Sequence, residues 1–401
     1  MFSSSATSSA IYRALCLTLS GRGERVAWTE FTPADWEQLA MVAQAERVAP
    51  LLYWTFRNCG WPKGMPEAVQ KTLAGTYYAT ASRNILLYHE LGRTLSALDQ
   101  REIPVILLKG AALAATLYPN LSLRPMGDLD LLVSREQLDQ AIIAVKALGY
   151  VPERPQIRAG LEQLVAYETN FNGGERIPTH VELHWDLIGG QGSRYRPRIE
   201  WFWEQSQPIE LPSVQTLTLN ATAHLLYLAA HLTLKHGRDG ARLLWFHDLH
   251  LLISHSGELD WEELLARASE FHWISGLRAA LRGTQSLFST PVPEEVRSAL
   301  GGDGDQEAGE MMRHNAGILQ TRTASTWQDW SALHWPIRLR CILATVIPSR
   351  AYITWRYAPH PAWLWPFYYP YRWLDMLGDG LSTLVKLAYY GLYRRMRSGS
   401  E

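Results

Sequence analysis

The sequence has little of what would assign it to several common protein classes. Its three cysteines, Cys16, Cys59 and Cys341, lie far apart and do not show the spacing of a metal site. They predict no disulfide framework, so a reducing compartment is expected. The chain lacks a run of about 18 uncharged apolar residues, which a membrane-spanning helix requires, and residues 1–10 lack the pattern of a signal peptide. We therefore expect a cytoplasmic protein.

An excess of positive charge is absent as well. The sequence has 38 lysines and arginines against 39 aspartates and glutamates, which gives a net charge of −1. Proteins that bind nucleic acid through its phosphates usually carry a basic surface, so nucleic acid is not the expected partner. Apolar residues make up 47% of the 401 residues, which is enough for a globular protein of two or three domains.

The most informative stretch begins with a short apolar run at residues 105–108, which predicts a buried strand. Lys109 and Gly110 end that strand, and an Ala/Leu-rich segment then predicts a helix. The glycine allows a phosphate to approach the backbone, while the helix N-terminus and the lysine supply positive charge. This turn is therefore typical of a phosphate-binding site.

A second strand is predicted downstream of this helix, and it begins with Asp128 and Asp130. Because side chains alternate along a strand, both carboxylates project from the same face. Two carboxylates this close repel each other, and Mg²⁺ is a suitable counter-ion. In the alternative interpretation, both acids are solvated on an edge strand. The phosphate-binding turn nearby favours the metal site.

A β-hairpin is predicted at residues 172–175, where the sequence is Asn-Gly-Gly-Glu. The second arm of this hairpin alternates, and Glu182 and His184 share its polar face. The sequence leaves three roles open for His184. It contacts a phosphate, accepts a proton, or is a structural histidine beside Trp185.

Helices are predicted before and after this unit. Thr32 as N-cap and Pro33 as the first helical residue predict a helix that runs to about Arg57. A long helix is predicted at about residues 66–100, and the chain is predicted to be mainly helical from about residues 200 to 300.

In that later helical region, His231 and Lys235 lie four residues apart on one helical face. In one interpretation they close over the phosphates of a ligand. A zinc site is a rival, although no cysteine or third clear ligand stands nearby. In a third interpretation, His231 pairs with Asp248 and locks two helices together.

The last part of the chain is rich in aromatic residues, and a large share of its 17 tryptophans lies there. Residues 374–396 are amphipathic and end in a cluster of arginines. This pattern is compatible with a helix that lies at a membrane surface. The alternative is that the region folds back onto the preceding helices.

Lys109-Gly110, Arg124 and Asp128-x-Asp130 together resemble the uncharacterised bacterial nucleotidyltransferases of the DNA polymerase beta-like superfamily. The resemblance includes Glu182-Leu183-His184-Trp185 and covers roughly residues 35 to 290. It implies an α+β fold with a polymerase beta-like nucleotidyltransferase core, a small mixed sheet with flanking helices, and a mainly helical C-terminal region. The usual Gly-Ser turn of the superfamily is Gly110-Ala111 here, so no serine hydroxyl is available for phosphate binding.

The resemblance also implies an activity. A nucleotidyl group would pass from a nucleoside triphosphate (NTP) to an unknown acceptor, a small molecule, peptide or protein, with release of pyrophosphate and with two Mg²⁺ ions as cofactors. The implied catalytic metal ligands are Asp128, Asp130 and Glu182, and the implied nucleotide contacts are Lys109, Gly110, Arg124, His184, His231 and Lys235. Two alternatives remain, a toxin-like nucleotidyltransferase that modifies RNA and a non-catalytic scaffold with the same fold.

Four regions are expected along the chain. Residues 1–102 form an N-terminal helical region that packs on the core, and residues 103–200 form the catalytic core. Residues 201–300 form a helical domain that closes the cleft, and residues 301–401 form the aromatic-rich C-terminal region, in which peripheral membrane contact remains an open alternative.

Overall fold

A mixed β-sheet forms the centre of the computed structural model, which describes residues 6–189, 193–211, 214–235, 241–255, 257, 259–301 and 333–398. Within these residues the sheet has seven strands in the order β3-β4-β5-β2-β1-β7-β6. The β1–β7 and β2–β5 pairs are parallel, and the other neighbours are antiparallel. The strands are β1 Ile106–Leu107, β2 Asp128–Leu132, β3 Val151–Pro152, β4 Glu168–Gly173, β5 Thr179–His184, β6 Ser206–Leu211 and β7 Val214–Leu219.

Helices surround the sheet and make up most of the rest of the described chain. Those before and within the sheet are α1 Ala6–Leu19, α2 Pro33–Ala45, α3 Ala49–Cys59, α4 Glu67–Asp99, α5 Lys109–Thr116, α6 Leu138–Ala147, α7 Leu161–Val165 and α8 Ile199–Glu204. Those after it are α9 Ala221–Ala230, α10 Leu243–His255, α11 Trp261–Glu270, α12 Ile274–Phe288, α13 Glu294–Ala299, α14 Trp335–Val346, α15 Arg350–Arg356 and α16 Trp365–Ser398. The predicted α+β class, with a mixed sheet, flanking helices and a mainly helical C-terminal region, is confirmed.

The helix predicted from Thr32 to about Arg57 is two helices. Its start is confirmed, because the Thr32 side chain accepts a hydrogen bond from the Asp35 backbone and the Asp35 carboxylate binds Thr32 in return. The helix breaks at Arg47, whose φ of 58° lies in the left-handed region. Glu46 explains the break, since its carbonyl and its carboxylate accept hydrogen bonds from the backbone at the start of α10.

The strands after residue 200 also differ from the prediction. The chain was predicted to be mainly helical from about residue 200 to residue 300, but β6 and β7 form a hairpin that extends the sheet. The hydroxyls of Thr216 and Thr218 donate to the carbonyls of Val105 and Leu107, so β7 is held directly against β1. Asn220 caps the start of α9, because its side chain accepts a hydrogen bond from the backbone of Ala223.

The two faces of the sheet pack against different cores. Leu129 and Leu131 of β2 lie in a core with residues of α4 and α6. Leu132 lies in the other core, with apolar residues of α2, α9, α10 and α12. Because Asp128 and Asp130 alternate with the first set and share the face of Leu132, the two carboxylates project toward the second group of helices.

The C-terminal helices leave apolar side chains exposed. On α16, exposed apolar residues recur every three or four positions, at Phe367, Tyr371, Leu374, Leu377, Leu381 and Val385. This spacing places them on one side of the helix. None of the helices among the described residues is both long enough and apolar enough to cross a bilayer. The first part of the predicted 301–401 region, residues 302–332, lies outside the described residues.

Candidate active site

The carboxylates of the candidate site come from two neighbouring parallel strands. The register of β2 and β5 sets Asp130 beside Glu182 and Leu132 beside His184. Since alternate residues of a strand share a face, Asp130, Glu182 and His184 project together from one side of the sheet, with Asp128 at the start of β2. The hairpin predicted at residues 172–175 is what brings Glu182 to this position, because it connects β4 to β5.

The ammonium group of Lys109 lies inside this cluster. Lys109 is the first residue of α5, and its Nζ is 2.5 Å from Asp130 Oδ1 and 3.5 Å from Glu182 Oε2. His184 Nε2 is 3.1 Å from the same Asp130 oxygen and 3.4 Å from Glu182 Oε2. The Lys109 ammonium and the His184 ring therefore both contact the carboxylates of Asp130 and Glu182. All four side chains are largely buried.

These contacts shift the pKa values of the three carboxylates in opposite directions. Although burial opposes ionisation, Lys109 and the hydrogen bond with His184 hold the pKa of Asp130 below its ordinary value. Burial opposes ionisation of Glu182 too, but the adjacent His184 and the charge of Lys109 lower its pKa. Asp128 behaves in the opposite way, because burial and repulsion by Asp130 and Glu182 raise its pKa to about 6. Asp128 is therefore the carboxylate with the least compensation.

The cluster meets the requirements of a divalent cation. Asp130, Glu182 and His184 each offer a ligand atom, and these atoms lie within 4.8 Å of one another. Glu182 Oε2 and His184 Nδ1 are buried and accept or donate no hydrogen bond within the described chain. A cation would satisfy the Glu182 oxygen and would offset the repulsion at Asp128. The residues that fit a metal site are thus two of the three predicted carboxylates, Asp130 and Glu182, together with His184.

Lys235 reaches this cluster indirectly, through an acid that the sequence reasoning did not single out. Its Nζ is 2.9 Å from Glu168 Oε2, and that oxygen is 3.5 Å from His184 Nδ1. Glu168 opens β4 directly opposite His184. The alternation of polar residues along β4 was the available signal, although only the second arm of the hairpin was interpreted in this way.

His231 and Lys235 are the first and last residues of a π-helical turn that continues α9. The described contacts of His231 are with aromatic rings, at centroid distances of 5.8 Å to Tyr227 and 6.3 Å to Trp245. Tyr227 is a second residue that the sequence did not reveal. Its hydroxyl is buried near Lys109 and makes no hydrogen bond within the described part of the chain. A tyrosine in an apolar helix is usually a core residue, so nothing marked this one.

Arg124 is held by Asp248. Its Nε and Nη2 donate to the two carboxylate oxygens of Asp248 at 3.0 and 2.8 Å, and both side chains are almost fully buried. The Tyr118 hydroxyl donates to the same carboxylate at 2.7 Å. Gly110 lies against the remaining nitrogen, since a Cβ there would stand 2.9 Å from Arg124 Nη1. Arg124 thereby connects the loop before β2 to α10.

The chain belongs to a family described as uncharacterised nucleotidyltransferases, whose sequence profile matches residues 32–289. No curated protein matches the sequence. The antibiotic-resistance factor ANT(2'')-Ia is a similar solved structure, with 14% identity and a TM-score of 0.33 over 52% of this chain and 96% of that chain. An antigenic nucleotidyltransferase-like protein from Paracoccidioides brasiliensis is similar too, with 14% identity and a TM-score of 0.31 over 52% of this chain and 89% of that chain. The family match, rather than these distant likenesses, assigns the protein to the nucleotidyltransferases.

Proposed function

We propose that the protein is a Mg²⁺-dependent enzyme that moves a nucleotidyl group from an NTP to an acceptor and releases pyrophosphate. The observation that supports this most directly is the pairing of Asp130 with Glu182 on parallel strands. Asp128 projects from the same face two residues before Asp130. Three carboxylates around one space are the ligands that two-metal phosphoryl transfer uses.

In this proposal Asp128, Asp130 and Glu182 hold the two Mg²⁺ ions. When bound, the metal would stabilise the negative charge of the phosphates and lower the pKa of the acceptor. The acceptor atom forms a bond to the α-phosphorus while the bond from that phosphorus to the pyrophosphate oxygen breaks. Glu182 would complete the site of the metal that activates the acceptor, and the proton that the acceptor loses would pass to solvent. The acceptor is a small molecule, a peptide or a protein.

The first prediction tests the metal-dependent nucleotide site. We expect the purified protein to bind at least one of ATP, GTP, CTP and UTP in the presence of Mg²⁺, with affinity lost on chelation. The double variant Asp128→Asn/Asp130→Asn keeps the side-chain volumes but removes two charges, so binding of Mg²⁺–NTP should weaken about a hundredfold or more. Calorimetric titration measures both effects.

A matched control is Glu175→Gln, which removes an acid on the exposed hairpin turn of the same sheet. It should bind the nucleotide as the wild type does. Unchanged nucleotide binding and turnover in the Asp128→Asn/Asp130→Asn protein would show the proposed function to be wrong.

One observation favours a second candidate, a non-catalytic protein that keeps the fold as a scaffold. The Lys109 ammonium already contacts both Asp130 and Glu182, so an internal ion pair could replace the metal permanently. The same titration distinguishes the two candidates. A scaffold of this kind binds no Mg²⁺ at the cluster, whereas the proposed enzyme does.

We also propose that the C-terminal region contacts the surface of an anionic membrane. Residues 333–398 contain nine basic and two acidic residues, although the whole chain has a net charge of −1. The same region carries the exposed apolar stripe of α16. An apolar stripe on a basic helix is the pattern of a segment that lies in the headgroup layer of a bilayer.

We expect the full chain to co-sediment with vesicles that contain phosphatidylglycerol, and to bind phosphatidylcholine vesicles and high-salt samples far less. Leu377→Ser/Leu381→Ser removes two side chains that are each 64% exposed, so vesicle binding should weaken by about tenfold or more. Ile85→Ser is the matched control, because Ile85 is 63% exposed but lies on α4. Equal binding of the double variant and the wild type would contradict the proposal.

A further inference from the structure

The basic residues predicted to hold the nucleotide phosphates are already paired with acids. Lys109 contacts Asp130, and Lys235 contacts Glu168. Arg124 is bound through two nitrogens to Asp248. An NTP brings several negative charges, and the turn at Gly110-Ala111 has no serine hydroxyl to receive them. The positive charge for the polyphosphate therefore has to come mainly from other residues.

Three other arginines lie around the start of β2. Arg47 is half-buried, and its Nη1 is 3.7 Å from the position that a Cβ of Gly127 would occupy, next to Asp128. Arg83 of α4 and Arg242, just before α10, are close enough to act electrostatically on Arg47. The three come from different parts of the chain, and Arg47 lies at the edge of the carboxylate cluster, next to Asp128.

Hydrogen bonds between two segments of the chain hold Arg47 and Arg242 close together. Arg47 stands at the break between α2 and α3, where the left-handed φ of 58° turns the chain. Glu46 beside it accepts backbone hydrogen bonds from Leu243, at 2.7 Å to its carboxylate, and from Leu244, at 3.4 Å to its carbonyl. These bonds bring the chain at Arg47 next to the chain at Arg242, although all seven described strands lie between them in sequence.

The arginines lack compensating acids. Within the described chain, the side chains of Arg47 and Arg83 form no hydrogen bond or ion pair, and the Arg242 guanidinium lies over the ring of Trp245 at 5.6 Å. Burial and the neighbouring arginines, Arg242 first among them, lower the pKa of Arg47, while Asp128 is the acid that opposes this. Around Arg47, two further guanidinium groups against one opposing carboxylate leave an excess of positive charge that an anion would relieve.

We propose that Arg47, Arg83 and Arg242 form the binding site for the polyphosphate of the NTP. A guanidinium group presents a planar fork of donors that matches phosphate oxygens, so three of them suit a polyphosphate better than a single charge. Asp128 lies between this site and the carboxylates Asp130 and Glu182, so a polyphosphate held there borders the metal ligands. This assignment rests on the proposed function, because it names the residues that hold the substrate of that reaction.

The test measures binding to the full-length protein by calorimetry with three probes, the NTP with Mg²⁺, inorganic tripolyphosphate, and the corresponding nucleoside monophosphate. We expect Arg47→Gln and Arg242→Gln each to weaken NTP and tripolyphosphate binding by about tenfold or more, and the double variant by about a hundredfold. Monophosphate binding should change little. Tripolyphosphate should compete with the NTP, and the salt dependence of binding should be reduced in the variants.

Two further variants keep the test independent of folding. Arg83 is exposed on α4, so Arg83→Gln removes a charge without disturbing the core and should weaken tripolyphosphate binding several-fold. Arg101→Gln is the matched control, because Arg101 is an exposed arginine just past the C-terminal end of α4. Its side chain contacts only the carbonyl of Ala97 among its described hydrogen bonds. It should leave every probe unaffected.

The outcomes separate the two proposals. If the wild type binds the NTP and the arginine variants bind it equally well, or if tripolyphosphate does not compete, the arginine site is wrong and the proposed function stands. If the wild type binds tripolyphosphate through these arginines but binds no NTP, the anion site stands and the proposed function is wrong. Binding of neither probe by the wild type overturns both.

Discussion

Replacing Arg124 with glutamine is expected to destabilise the protein by about 3–5 kcal/mol, because it leaves the Asp248 carboxylate buried without its counter-charge. Arg124 and Asp248 are 5% and 1% exposed, and two hydrogen bonds join them. Glutamine retains one donor but neither the charge nor the planar fork. Urea unfolding of the variant, compared with the wild type, gives the difference in free energy of unfolding.

The pair should also be strongly coupled. In a double-mutant cycle of Arg124→Gln and Asp248→Asn, the double variant should be far more stable than the sum of the single effects predicts, since no lone charge then remains buried. The exposed pair of Lys71 and Glu67 on α4 is the control, and its coupling should be about 0.5 kcal/mol or less. A loss below about 1 kcal/mol for Arg124→Gln would mean that the pair does not hold the β2 loop to α10.

Substitution of Lys109 by methionine should have an effect of similar size, but one that metal reverses. Methionine fills a similar volume and leaves Asp130 and Glu182 without the Lys109 charge, so in a chelating buffer we expect a loss of about 3–5 kcal/mol in the free energy of unfolding. If the proposed function is correct, Mg²⁺ replaces that charge, and an ion that binds only the folded protein stabilises it. Added Mg²⁺ should therefore stabilise the variant more than it stabilises the wild type.

Lys235→Met provides the comparison for this experiment. It removes the partner of Glu168, which lies beside His184 but outside the group of donors that fit a metal. Its loss of stability should not be recovered by Mg²⁺. Equal stabilisation of the wild type and the Lys109→Met variant by Mg²⁺ would argue that Lys109 and the metal do not compete for the same carboxylates.

The sequence allowed the acids to be predicted because their signals are local. The alternation of Asp128 and Asp130 appears within three residues, and the Asn-Gly-Gly-Glu turn fixes the strand that carries Glu182. The pairing of Asp130 with Glu182 then follows from the sheet that these strands form. The long helix α4 was predicted for the same reason, since helical periodicity over many residues is a strong local signal.

The features that could not be predicted depend on contacts between residues that are far apart in the sequence. Nothing in the sequence around Arg47 indicates that Glu46 binds the start of α10, and without that contact the helix would be expected to continue. The paired states of Lys109 and Arg124 were hidden for a similar reason, because an isolated cation does not show which acid it meets. The β6–β7 hairpin was missed because β7 is paired with β1, a strand that lies far away in the sequence.

That pairing has a consequence for any attempt to isolate part of the protein. β1 is two residues long and lies between β2 and β7, so its backbone groups are satisfied by one strand on each side. A fragment that ends near residue 200 would contain every carboxylate of the cluster, yet it would leave one side of β1 open. An unprotected strand edge in the middle of a sheet invites association between copies of the fragment. A fragment without this open strand edge therefore has to extend at least through Leu219, so that it includes the β6–β7 hairpin that follows Glu182 in the sequence.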